Sequence, residues 1–258
     1  MKNTHALIIG GTRGLGRVVA KLFAKNGAKV SVLGAHEPDP ADRKLRGVRF
    51  FQADVTDPAA AKKAIDEIVR ERGRLNYVIF AQRYRGAAEK SWEGELELML
   101  TVPRMVLAVV RDSFARRGDR AVVFVSSPAG NFVVPEQDDA YHATRAALGG
   151  MMRWHAVTWA ARGVRFNMVT PGAFVRELPG GKVFIPPAAA DYARFVPLGR
   201  MGEAADVAKV VRFLCSEDAG LVTGQEIAVD GGATLLGQEA LAMRFIKEAA
   251  VKLEKKGK

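Results

Sequence analysis

A single cysteine, Cys215, stands among 258 residues. No internal disulfide can form, and the composition suits a reducing cytoplasm. No stretch approaches the roughly 20 apolar residues of a membrane span. No N-terminal targeting segment is apparent either, because an apolar β-run starts almost at once and lasts only a few residues. Internal repeats and low-complexity blocks are missing. Acidic residues are the scarcer sign: 28 Asp and Glu face 39 Lys and Arg, for a net charge of +11. Such an excess invites a nucleic-acid reading. The basic residues are scattered over helix faces and loops, however, with no nucleic-acid motif beside them. A solvated basic surface, or attraction to phosphorylated or acidic substrates, explains the charge better. The expected partner is a small molecule, with no nucleic acid, no membrane and no metal site.

What is present is ordinary for a soluble globular chain: 48% apolar and 26% charged residues. The length suits one α/β domain, with two compact domains as the lesser alternative. Apolar β-runs occur at His5–Ile9, Lys29–Leu33, Val48–Gln52, Leu75–Ala81, Ala121–Ser126, Val164–Val169 and Glu226–Val229. Between them lie helical patterns at Arg17–Asn26, Pro58–Arg72, Glu95–Arg116, Ala140–Ala161 and Glu203–Ser216. Short apolar strands alternating with longer amphipathic helices predict a doubly wound, Rossmann-like parallel sheet covered by helices on both faces. Ligands of such sheets bind beyond the carboxyl ends of the strands, where the winding reverses. That places Gly10–Gly16, Ala81–Arg85, Ser126–Gly130 and Pro171–Ala173 around one crevice.

The first strand runs directly into Gly10-Gly11-Thr12-Arg13-Gly14-Leu15-Gly16 and then into a helix. A strand, a glycine turn and a helix start, in that order, make a phosphate cradle. Gly10 allows the tight turn, Gly14 lets backbone approach a pyrophosphate, and Gly16 lets the helix pack close to the sheet.

With these segments placed, the chain resembles the short-chain dehydrogenase/reductase family over nearly its whole length. The turn lies on the family's TGxxxGxG pattern, with Ile9 where threonine is usual. Asp54-Val55 matches a pair that contacts adenine, and Ser127 falls at the position of the catalytic serine. Tyr141-His142-Ala143-Thr144-Arg145 lies on the YxxxK motif, and Asn167–Gly172 on the stretch whose Pro171-Gly172 turn faces the nicotinamide. The run from Pro197-Leu198-Gly199-Arg200 through Asp230-Gly231-Gly232 is also typical. The resemblance implies an oxidoreductase acting on a carbonyl/alcohol pair, most similar to 3-oxoacyl reductase-like and sugar or polyol dehydrogenase members. It implies cofactor contacts from Gly10, Thr12, Arg13, Gly14, Leu15, Gly16, His36, Asp54, Val55, Ala81, Pro171 and Gly172. Three departures are specific. Phe80-Ala81-Gln82-Arg83 replaces NNAG, Met99 stands at the catalytic asparagine, and Arg145 replaces the active-site lysine.

Reducing a carbonyl with hydride requires a proton donor on its oxygen and a second hydrogen bond to hold it. In the family's register Tyr141 donates and Ser127 orients. Tyrosine ionises near pH 10 unperturbed, so it needs a nearby cation to work close to neutrality. Arg145, one helical turn along, supplies a permanent charge and a donor for a ribose hydroxyl. It does not readily lose a proton, and Met99 can neither hold nor pass on a water. The family's proton relay is therefore expected to be absent or rerouted. The other reading is a protein of this fold that binds nucleotide with little or no turnover, as a sensor or supporting subunit.

No acid stands at Gly34, where NAD-selective members carry one, and Arg13 can meet a 2′-phosphate, so NADP(H) is favoured. His36 either adds to this or is an exposed loop histidine. Arg83 and Arg85, flanking Tyr84 at the crevice rim, either bind a carboxylate or phosphate of the substrate or lie on a solvated loop. Residues Ala173 to Val196 correspond to the variable substrate loop; Pro179-Gly180-Gly181 and Pro186-Pro187 suggest a lid. The dehydrogenase domain is expected over 1–236. An amphipathic helical extension follows over 237–258, with Leu241, Phe245, Ala249 and Leu253 at helical spacing. It packs on the same or a neighbouring subunit, with an anionic membrane surface the lesser reading. By the resemblance, Glu95–Arg116 and Ala140–Ala161 form the main interface of a homodimer or homotetramer.

Overall fold

A computed structural model describes residues 1–177, 183–184 and 192–256, without the side chains of 176–177, 183–184 and 248–256. Seven parallel strands form the central sheet. They are β1 (His5–Ile9), β2 (Lys29–Gly34), β3 (Val48–Gln52), β4 (Tyr77–Phe80), β5 (Ala121–Val125), β6 (Arg165–Pro171) and, after three short strands described below, β10 (Glu226–Val229). Their order is β3-β2-β1-β4-β5-β6-β10, so the winding reverses between β1 and β4. All five residues of β1 are buried. With helices on both faces, such a strand has no reason to alternate apolar with polar. Leu7 and Ile9 join Phe80 and Phe124 in one core; Ala6 and Ile8 join Val30 and Val32 in the other.

The helices covering the second core are α1 (Gly14–Lys25), through Val19 and Phe23, and α6 (Ala204–Leu214), through Val207 and Val211. The first core is covered by α2 (Pro58–Arg72), α4 (Val102–Val110) and α5 (Asp139–Thr158). Local signals set their starts. Asp57 accepts from the amides of Ala59 at 2.8 Å and Ala60 at 3.3 Å, with Pro58 in the first turn. Asp138 accepts from the Tyr141 amide at 2.8 Å and so fixes where α5 begins.

The continuous helix expected over Glu95–Arg116 is not one helix. It consists of α3 (Ser91–Leu96), a wide π-type turn over Glu97–Thr101, and α4, which stops at Val110. Pro103 has no N–H for the Met99 carbonyl and its ring crowds the turn before it, which favours a wider turn there. The other helix ends fall within a few residues of expectation. The stretch after Thr158 tightens into a separate 3₁₀ turn over Ala160–Arg162, closed by Gly163 at φ +67°.

A small second sheet was not anticipated: β7 (Phe174–Glu177) pairs with β8 (Val183–Phe184) and with β9 (Gly202–Glu203). The proposed lid punctuation at Pro179–Gly181 and Pro186–Pro187 lies outside the described residues. The C-terminal α7 (Gln238–Lys256) places Phe245 5.3 Å from Phe195 between ring centroids, while Ile246 is exposed. The side chains of Ala249 and Leu253 lie outside the described residues. No described helix is long and apolar enough to cross a membrane.

Candidate active site

A crevice of about 1170 Å³ opens at the carboxyl ends of β1 and β4, where the sheet order reverses. Every residue named above for catalysis, cofactor or substrate lines it except Gly16.

At one end the crevice is backbone. Gly10 has φ +80°, and a Cβ there would sit 2.6 Å from Gln82 Cα. Gly16 lies behind the crevice wall; a Cβ on it would collide with the Gly10 carbonyl and come within 2.9 Å of Gly11 Cα. Its absence of a side chain lets the first turn of α1 close on the glycine turn itself. Gly14 differs: at φ +54° it has nothing within 4 Å of its Cβ position. A phosphate can therefore reach the first amides of α1 unobstructed. This cradle fits a dinucleotide.

Beyond it, Gly34 ends β2 beside the methyl of buried Thr12, 3.8 Å from the Cβ position of Gly34. Arg13 and His36 are exposed on the crevice rim. The acids that follow β2 are occupied elsewhere: Glu37 pairs with Arg43, and buried Asp42 pairs with Arg17 and, at 3.2 Å, with Lys21. Asp54 accepts from the Thr56 amide at 2.9 Å and its hydroxyl at 2.7 Å. These hydrogen bonds hold its carboxyl below the ordinary carboxylate value.

At the other end the crevice is made of side chains. Ser127 caps the short turn Pro128–Gly130, its Oγ accepting from the Ala129 amide at 3.3 Å. Tyr141, in the first turn of α5, has the Arg145 Cζ 4.2 Å from its ring centroid and the Arg83 Cζ 5.8 Å away. The next residue, Tyr84, donates to the Ala87 carbonyl at 3.1 Å and fills the space over Gly86 and Gly94. Arg85 also lines the crevice.

The replaced motif residues have structural reasons. Phe80 stacks on Phe124 at 5.0 Å in the core. Gln82 donates to the Leu98 carbonyl at 3.2 Å, inside the π-type turn, and its Oε1 is buried with no protein partner. Met99 is 2% exposed and packs in the first core, away from the crevice.

Arg145 stands beside Tyr141 and has a second partner that the sequence did not point to: its Nη1 lies 3.2 Å from Oε2 of Glu95, and the two side chains are 3% and 5% exposed. The Thr144 hydroxyl lies 3.5 Å from the same oxygen. Burial raises the Glu95 carboxyl above its ordinary value, and attraction to Arg145 opposes that rise. Sequence reasoning missed Glu95. It sits among Glu93, Glu95 and Glu97, with nothing in its spacing to connect it to a residue fifty positions later.

A family model described as enoyl-(acyl carrier protein) reductase matches residues 10–234. The chain is 30% identical over 241 residues to the 3-oxoacyl-[acyl-carrier-protein] reductase FabG of Thermotoga maritima, covering 89% of this chain and 97% of that protein. It is 28% identical over 242 residues to D-threitol dehydrogenase of Mycolicibacterium smegmatis, covering 89% and 92%. Among solved structures, Thermoplasma acidophilum aldohexose dehydrogenase superposes with a TM-score of 0.79 at 24% identity, covering 92% of this chain and 96% of that one. ElxO with NADP bound gives 0.77 at 24%, covering 92% and 100%. At these identities the structural likeness establishes the fold.

Proposed function

The chain belongs to the short-chain dehydrogenase/reductase family, and from that premise we propose that it interconverts a carbonyl and a secondary alcohol with NADP(H), on a small substrate bearing negative charge. One observation carries the reading: Tyr141 and Ser127 face the same crevice as an open Gly14 cradle. The bound dinucleotide supplies or accepts the hydride. Gly10 and Gly14 give its phosphates access to the α1 amides, and Arg13 and His36 on the rim meet a 2′-phosphate, with Gly34 leaving no acid at the end of β2. Tyr141 Oη gives or takes the proton, and Ser127 Oγ holds the substrate oxygen. Arg83 and Arg85 meet a carboxylate or phosphate at the rim. The exposed Trp154 and Val157 of α5 support a homodimer or homotetramer built on the α4–α5 face, and the lone cysteine a cytoplasmic setting.

The test is NADPH and NADH titration, followed by NADPH absorbance with acidic carbonyl compounds and their neutral counterparts. Tighter NADPH and preferred turnover of the acids are expected. Equal cofactor affinities would remove the NADP(H) assignment, and equal turnover of neutral compounds would remove the substrate charge. The ion pair between Arg145 and Glu95 favours a second reading, nucleotide binding without turnover. Tight NADPH binding with every carbonyl left intact would establish it. A monomer by light scattering at micromolar concentration would refute the assembly.

A further inference from the structure

Three groups converge on the ring of Tyr141 and the cation beside it. Arg145 lies over the ring face, Arg83 approaches it from the loop after β4, and His142 meets it edge-on at 6.3 Å between centroids. Behind Arg145 stands Glu95 of α3, buried and in contact with both Arg145 and Thr144. Asp138, capping α5, is the remaining carboxylate that Glu95 senses, alongside the cations Arg145 and Arg83. A buried ion pair contributes little net stability compared with apolar side chains of similar size, because both charges must leave water. Here the pair abuts a crevice-lining tyrosine, on the segment where the chain has also lost its asparagine and lysine.

We propose that Glu95 is a positioning residue of the active site: its carboxylate holds the Arg145 guanidinium against the face of the Tyr141 ring and balances its charge, so that the Glu95–Arg145 pair, not a free cation, sets the acid–base strength of Tyr141. A cation beside a phenol favours the phenolate, and an anion just behind that cation weakens the preference. Neutralising Glu95 therefore makes Tyr141 a stronger acid. The geometry also limits Arg145. Anchored at Nη1, the guanidinium is held between the tyrosine ring and Glu95.

This role rests on the reading of Tyr141 as the proton-exchanging group, yet phenol ionisation can be followed with no substrate present. The experiment is an ultraviolet titration of tyrosinate in the parent, in Glu95→Gln and in Glu95→Asp. Each is subtracted against the same chain carrying Tyr141→Phe, which isolates one of four tyrosines. Circular dichroism confirms folding of every variant. In Glu95→Gln the Tyr141 midpoint should fall by about one pH unit, the size expected for losing a nearby like charge. Glu95→Asp, which keeps the charge, should stay close to the parent. Glu95→Asn serves as the neutral variant if Glu95→Gln does not fold. An unchanged midpoint in a folded neutral variant overturns the role, as does an equal fall in Glu95→Asp. Where a carbonyl substrate has been found, the pH–rate profile should move with the phenol. A moved phenol with an unmoved rate profile overturns the catalytic reading of Tyr141 and leaves the charge-setting role of Glu95 intact.

Discussion

Around the β1–α1 turn the crevice wall is peptide backbone: Gly10, Gly14 and Gly16 act by lacking side chains, each for a different steric reason. Between α3 and α5 the wall is side chain: Tyr141 and Arg145 line it, and Arg145 bridges Tyr141 to Glu95 behind it, fifty residues away in sequence. The first construction tolerates almost no substitution, because any Cβ at Gly10 or Gly16 strikes backbone. The second can be rebuilt, provided that each buried charge keeps a partner. This chain keeps the glycine spacing, and Met99 and Arg145 stand where the family has asparagine and lysine, with Arg145 paired to Glu95. If the proposed function holds, binding and chemistry fall to different ends of the crevice, and each can be probed by its own substitution.

The largest separation should come from Tyr141→Phe. Only the phenolic hydroxyl is lost, so the ring still stacks on Arg145 and the glycine cradle is untouched. Turnover should fall by roughly 10²–10⁴-fold, the usual worth of a positioned acid, while NADPH affinity by fluorescence titration stays at the parent value. Undiminished turnover would place the proton transfer elsewhere.

Gly16→Ala strikes the opposite end. The added methyl has no space beside the Gly10 carbonyl and Gly11 Cα, and neither is a flexible side chain that can swing away. Overpacking of this kind costs about 1–3 kcal/mol, read as a lower thermal midpoint together with weaker NADPH binding. Gly14→Ala meets only backbone strain, about 1–2 kcal/mol for a left-handed residue, with no collision. If Gly14→Ala proves the more damaging to folding, the assignment of the two glycines is reversed.

The difference in construction also explains what could be read before the fold was known. Seven strands were visible because buried parallel strands are nearly continuous apolar runs, and β1 is five buried residues, four of them apolar. The glycine turn was visible because steric requirements on backbone are local. The break before α4 was obscured by the apolar stripe continuing through Met99, Val102 and Val106, although Pro103 was a local signal for it. Strands β8 and β9 have two residues each and exist only through pairing with β7. Glu95 was hidden for the same reason: its meaning lies in Arg145, which the sequence places far away. Tyr141 and Arg145 were recognised by register with a family, and that register carried the lysine's expected surroundings with it. The ion pair with Glu95 adds a partner that the register does not carry.

A smaller effect is expected at Arg13, to which the proposed function gives the reading of a 2′-phosphate rather than the holding of the cofactor. Arg13 is exposed, so solvent screens its charge, and Arg13→Ala should cost about 1–2 kcal/mol of NADPH affinity, toward the lower end for a charge-assisted contact. NADH affinity should not change, since it carries no 2′-phosphate. Parallel losses for both cofactors would mean that Arg13 supports the turn and not the phosphate.

The smallest effect is the dependence of folding stability on the Glu95 proton. Burial raises this carboxyl above its ordinary value, and attraction to Arg145 partly cancels the rise. As pH increases, the unfolded chain releases this proton first and the folded chain retains it longer. Between those two points the folded state carries the extra proton, so this group's contribution to stability declines with rising pH. Glu95→Gln has no proton to lose and should not show that decline. Measured by urea unfolding from about pH 4 to about pH 7, the range in which a raised carboxyl titrates, the stability of Glu95→Gln relative to the parent should increase with pH. A difference that instead moves in the parent's favour would mean that Arg145 dominates the site and holds Glu95 ionised throughout. The side-chain end of the crevice would then resemble the backbone end more closely, since the pair would act as a fixed structural clamp with no proton in reserve.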